Sequence, residues 1–136
     1  MANKLYPKTK AQFMIGAIDL RAVPMKAILL DTTADYVYSD SHEFLSDVAA
    51  GARVKKTGLL SGKTVNLTTG AFDSDDPTAE AVTGENIGRL ILYIEGASDA
   101  LSRLVMFQDT GITTVPFVPD GSDIRIVIGA GGWFTL

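Results

Sequence analysis

Apolar runs of four to eight residues recur along the chain, each closed by Gly, Pro, Asp or Ser, at the spacing of β-sandwiches and barrels. Residues 25–30, 65–68, 90–94, 104–107 and 124–128 are the clearest strands. Ile124, Ile126 and Ile128 alternate with Arg125 and Val127, the period of two that gives a sheet a core side and a wetter side. Residues 90–94, Leu-Ile-Leu-Tyr-Ile, do not alternate, so both faces of that strand need cover, inside the domain or from a neighbouring subunit. One segment reads as helix. Asp40 and Glu43 have the spacing of a capping box, Phe44, Leu45 and Val48 share a helical face, and Gly51 supplies a C-terminal stop. The pattern predicts an all-β domain, a compact β-sandwich or jelly-roll-like barrel, with one short helix near residues 40–50. Turns are expected at Ser61-Gly62, as a hairpin, and at Pro119-Asp120-Gly121, where Pro116 and Pro119 also break regular ladder pairing.

At 136 residues the chain is one domain's worth. It divides into an N-terminal segment, residues 1–10, and a single β-rich domain, 11–136. With no cysteine and one histidine, His42, disulfide scaffolds, zinc ribbons, thiol chemistry and His-dominated metal sites are excluded, and a histidine triad would need His42 itself. The net charge of −4 does not suggest a nucleic-acid binder. Charge is uneven: residues 1–68 hold 9 basic and 6 acidic groups, residues 69–136 hold 3 and 10, as suits an asymmetric partner surface or self-association. The apolar run after Lys4, Lys8 and Lys10 is interrupted by Gly16 and stopped by Asp19, too short for a secretion signal or a membrane span. The expectation is a protein made in a cytoplasm, with no membrane partner.

Four local patterns touch on chemistry. Gly58-Leu-Leu-Ser-Gly62-Lys63-Thr64 is one residue short of a phosphate-binding loop, since Thr57 stands where the first glycine is needed, and it runs into strand formers. Asp73-Ser-Asp-Asp76 alternates carboxylates as a calcium loop does, but Thr78 and Gly84 replace the glycine and glutamate of an EF-hand; a solvated acidic turn before Pro77 is the other reading. Ser98 lacks the second glycine of a nucleophile elbow. His42 falls in the first turn of the expected helix, with no indicated partner. No catalytic, cofactor or metal residue is assigned.

The termini stand out. Lys4, Lys8 and Lys10 surround Leu5 and Tyr6 in an otherwise acidic chain, a composition for an anionic groove with an apolar pocket, so residues 1–10 are read as a contact arm, and deletion of residues 2–10 is expected to leave a folded domain that no longer binds particles. Trp133 and Phe134 follow a glycine-rich hinge, Gly129 to Gly132, and have to be fixed on something. The simplest place is a terminal strand beside residues 124–128, and a neighbouring subunit is the alternative.

In order, Asn3-Lys-Leu-Tyr6, Gly16-Ala-Ile-Asp-Leu20 leading into Met25-Lys-Ala-Ile-Leu-Leu-Asp31, His42-Glu-Phe-Leu-Ser-Asp47, Thr57-Gly-Leu-Leu-Ser-Gly-Lys-Thr-Val65, Arg89-Leu-Ile-Leu-Tyr93, Ser102-Arg-Leu-Val105 and Gly132-Trp-Phe-Thr-Leu136 resemble a group of small virion proteins of tailed bacteriophages. The resemblance spans nearly the whole chain and rests on strand and turn patterns, so it carries over no catalytic residue. It implies a non-enzymatic capsid decoration (cement) protein on the outer capsid surface of the virion. Such a protein binds the major capsid protein and itself and reinforces contacts between capsomers; the doubly apolar residues 90–94 and an apolar content of 46 % lead to the expectation of a homotrimer or other small cyclic oligomer. A tail, head-fibre or receptor-binding component is the alternative. The expected capsid or subunit contacts are Lys4, Leu5, Tyr6, Lys8, Lys10, Trp133 and Phe134.

Overall fold

The computed structural model describes residues 4–32, 36–109, 117–129 and 131–136. In chain order its strands are Lys4–Leu5 (β1), Met25–Asp31 (β2), Arg53–Lys56 (β3), Thr64–Val65 (β4), Ala71–Asp73 (β5), Thr78–Ala79 (β6), Ile87–Ile94 (β7), Arg103–Gln108 (β8), Ile124–Arg125 (β9) and Phe134–Thr135 (β10), with one α-helix, Pro7–Met14 (α1). All pairings are antiparallel. A five-stranded sheet runs β1-β8-β7-β2-β3, a three-stranded sheet β10-β5-β4, and β6 pairs with β9. The fold is all-β, as the periodicity predicts, with one short helix that lies at a different place from the one expected.

The large sheet is wrapped on both faces. Leu90 and Leu92 of β7 join a cluster that includes Leu29, Phe72, Ile124 and Trp133, packing the two small sheets over one face. Ile91 and Tyr93 belong to a second cluster with Ile28, Tyr6, Tyr36, Leu45 and Phe107 on the other face. The doubly apolar strand is thus covered within the chain, and it no longer argues for a neighbouring subunit. Of the other expected strands, residues 65–68 shorten to β4, because the Asn66 side-chain oxygen accepts the amides of Thr68 at 2.9 Å and Thr69 at 3.0 Å and folds the chain into a turn. Residues 124–128 keep their alternating burial, yet only β9 pairs, since the Ile126 amide goes to the Pro77 carbonyl and the Ile128 amide to Asp76. Ser61-Gly62 is not a hairpin turn: β3 pairs with β2 and β4 with β5, so residues 57–63 cross between sheets.

The helix expected near residues 40–50 does not form. That stretch holds two single 3₁₀ turns, Leu45–Asp47 and Ala50–Ala52. The capping residues have other partners. Asp40 accepts the Tyr38 hydroxyl at 2.8 Å, while Glu43 pairs with Arg103 at 3.0 Å and Lys8 at 3.7 Å. Asp47 instead closes the turn from its far side, accepting the amides of Glu43 at 2.8 Å and Phe44 at 3.1 Å. Burial would raise the Asp47 carboxyl, but those two amides hold it below the ordinary carboxylate range.

The α-helix lies in the segment read as an arm. Pro7 occupies its first turn, where a missing N–H costs nothing. The side chain of Thr9, fully buried, donates to the Leu104 carbonyl. With β1 paired to β8 and Tyr6 at 0 % exposure, residues 4–10 are built into the fold. The division at residue 10 falls inside α1, and the expectation that residues 2–10 can be deleted without loss of folding is withdrawn.

Candidate functional site

The seven expected contact residues take different positions. Tyr6 is buried at the start of a hydrogen-bond chain. Its hydroxyl lies 2.7 Å from that of Tyr36, which lies 2.8 Å from His42 Nδ1. The chain gives His42 a partner that its sequence position did not suggest. Burial, then the neighbouring Tyr36, holds the Tyr6 phenol far above its ordinary range, and burial pushes Tyr36 up to about 12, so both stay protonated as hydrogen-bond donors near neutral pH. Arg89 braces the same region by donating to the Tyr36 carbonyl at 2.5 Å and the Asp31 carbonyl at 3.0 Å. Lys4 lies over the Tyr38 ring, Leu5 is half-buried against the first cluster, and Lys8 pairs with Glu43. Lys10 is exposed on α1, one turn before Phe13.

At the other end the tail docks on its own domain, but not beside residues 124–128. β10 pairs with β5, placing Phe134 opposite Phe72 with ring centroids 5.6 Å apart. β5 is the middle strand of the small sheet, with β4 on one side and β10 on the other, while β9 pairs with β6. Trp133 is 7 % exposed; its amide donates to the Phe72 carbonyl at 2.7 Å and its indole N–H to Ser74 Oγ at 2.8 Å. The hinge includes one position that needs glycine. Gly132 has φ of +79°, and a Cβ there would sit 2.4 Å from the Phe72 carbonyl oxygen.

Between tail and helix the structure opens an apolar groove of about 290 Å³, with Phe13 and Ile18 on one side and Val65, Phe72, Phe134 and Leu136 on the other. Its charged rim is neutral, because Asp19 and Arg21 form a two-pronged pair with both contacts at 3.0 Å. Exposed apolar side chains border it. Leu67, on the turn after β4, is 87 % exposed and Leu136 61 %. Of the residues lining this groove, sequence reasoning singled out Phe134 as a contact and missed the others. No spacing signal marked them, because the groove forms only where α1 meets the C-terminal strand.

The remaining motifs resolve into structure. Lys63, in the loop that resembles a phosphate site, donates to the Val23 carbonyl. In the acidic turn, Asp76 accepts from Arg125 at 2.8 Å and from the Ile128 amide, and Asp75 accepts the Ser61 hydroxyl at 3.1 Å. These carboxylates point to different partners. Among the described residues no three His, Cys, Asp or Glu side chains gather as a metal site, and no helix is long and apolar enough to cross a membrane. Compared with known proteins, the chain matches no family model and has no significant match among curated proteins.

Proposed function

We propose that the chain is a non-enzymatic structural protein of a tailed-phage particle. It docks on the outside of the capsid, through the face where α1 meets the C-terminal strand, and reinforces contacts between capsomers. The observation that carries this reading is the groove with its exposed border of Leu67 and Leu136, apolar surface that costs free energy in water until something covers it. The resemblance of the sequence blocks to phage virion proteins supports the class of partner. An apolar loop of the major capsid protein fits a groove that holds one or two large side chains and has a neutral rim, and Lys10 offers a nearby acidic group a charge. A homotrimer at a threefold position presents three such faces at once, so modest contacts add to high occupancy.

The test is co-sedimentation of purified protein with particles of the encoding phage stripped of it, alongside light scattering of the protein alone. Leu67→Asp with Leu136→Asp removes the border without opening the core. The expected result is a loss of at least about tenfold in affinity at unchanged melting temperature, with wild-type density on the capsid faces by electron cryo-microscopy. Wild-type binding by the double variant, or density confined to the tail, would overturn the proposal.

A further inference from the structure

The outer face of the three-stranded sheet, turned away from the core, is a hollow of about 610 Å³ whose lining includes the polar side chains of Thr64, Asn66, Thr69, Asp73 and Thr135. Its shape follows from residue size. Ala71 sits at the centre, where its methyl leaves the floor low, and Gly131 and Gly132 form one rim with no side chain. Register places polar side chains around that floor. Thr64 lies opposite Asp73 on one side of β5, and Thr135 lies opposite Ala71 on the other. Residues paired in this way share a face, and Ala71 and Asp73, two apart, share it too.

The chemistry of the lining is specific. One Asp73 oxygen accepts the Ser74 amide at 2.8 Å, and among the described residues the other has no internal partner. Asn66 uses its side-chain oxygen for the turn amides, which leaves its NH₂ donors open. The hydroxyls of Thr64 and Thr135 bond to no described residue. The lining thus offers a fixed carboxylate acceptor, an amide donor and rotatable hydroxyls over two strand spacings, roughly 10 Å. No lysine or arginine lines the hollow to hold a phosphate or sulfate, and one carboxylate is too few for a calcium ion. Besides the Ala71 methyl the only aliphatic side chain is Val65, whose register partner is the core-facing Phe72, so no large apolar side chain stands in the hollow.

We infer that this hollow, with Asp73 facing Thr64 and Thr135 across Ala71, is a binding site for a neutral saccharide of one or two rings. A sugar presents hydroxyls that both donate and accept, which is what a carboxylate, an amide and threonines can read together, and the bare glycine rim lets a ring approach the backbone. This site is independent of the apolar groove and of the capsid reading.

The test is an NMR titration of the ¹⁵N-labelled full chain with glucose, galactose, mannose, N-acetylglucosamine, maltose and lactose, with glycerol as a small polyol control. The expected result is saturable shifts at Thr64, Asn66, Ala71, Asp73 and Gly131 with at least one of these sugars, at millimolar affinity, and no saturation with glycerol. Thr64→Val with Thr135→Val keeps β-branched shape in both strands while removing the hydroxyls. That variant should keep the melting temperature and bind at least about tenfold more weakly. Absence of saturable shifts with all six sugars, shifts elsewhere on the surface, or equal binding by the variant would overturn the assignment.

Discussion

Replacing Tyr6 by alanine is expected to cost about 3 to 5 kcal/mol of stability, the range for deleting a large buried aromatic side chain. For a chain of this size that lowers the melting temperature by roughly 10 to 20 °C. Tyr6 is fully buried among Tyr36, Tyr38 and Phe107, its amide donates to the Val105 carbonyl at 3.0 Å, and its carbonyl accepts the amides of Thr9 and Lys10, each at 3.0 Å, at the start of α1. One residue therefore ties β1, α1 and β8 together. Tyr6→Phe isolates the hydroxyl. The Tyr36 hydroxyl retains His42, so the loss should be about 1 kcal/mol, an ordinary buried hydrogen bond. Urea unfolding of both variants checks this, and a Tyr6→Ala protein within about 1 kcal/mol of wild type would mean that the N-terminal segment is not docked as described.

Trp133→Ala should cost a similar amount, about 3 to 5 kcal/mol, in the purified chain. Trp133 packs in the first cluster, and both its backbone amide and its indole N–H are bonded within the same domain. The indole anchor is what makes a glycine hinge workable: flexible residues let the chain turn, and one large buried ring fixes where it lands. Calorimetry distinguishes this from docking on a second copy. An unchanged melting temperature together with weakened self-association would place the tail on a neighbour instead.

The pattern of apolar residues located β2, β7 and β8 because those strands are buried on both faces and their runs have no competing explanation. Legibility failed where a local signal depended on a side chain that had a stronger distant partner. Asp40 and Glu43 have ideal capping spacing, but capping is worth about 1 kcal/mol, and a Tyr38 hydroxyl and an Arg103 guanidinium outcompete it. The real helix has only Pro7 as a local signal, no acidic residue in its first turn, and an anchoring residue, Thr9, whose partner is 95 positions away. Of the candidate surface, the tail was legible because aromatics after glycines need an anchor. The groove was not, since it exists only where α1 and β10 meet, and no spacing within either element encodes that meeting.

The central position of β7 has a consequence for how the molecule comes apart. Its alternate residues are walls of two different cores, so neither core can melt while the other keeps its lining. Partial opening is confined to the short outer strands. The amides of Ile91, Leu92 and Tyr93 should be among the slowest to exchange with deuterated solvent, and at the rate set by global unfolding. Damage to either face then registers in one shared transition, so a lesion at Tyr6 and a lesion at Trp133, on opposite sides of the sheet, should produce unfolding curves of the same single-step shape.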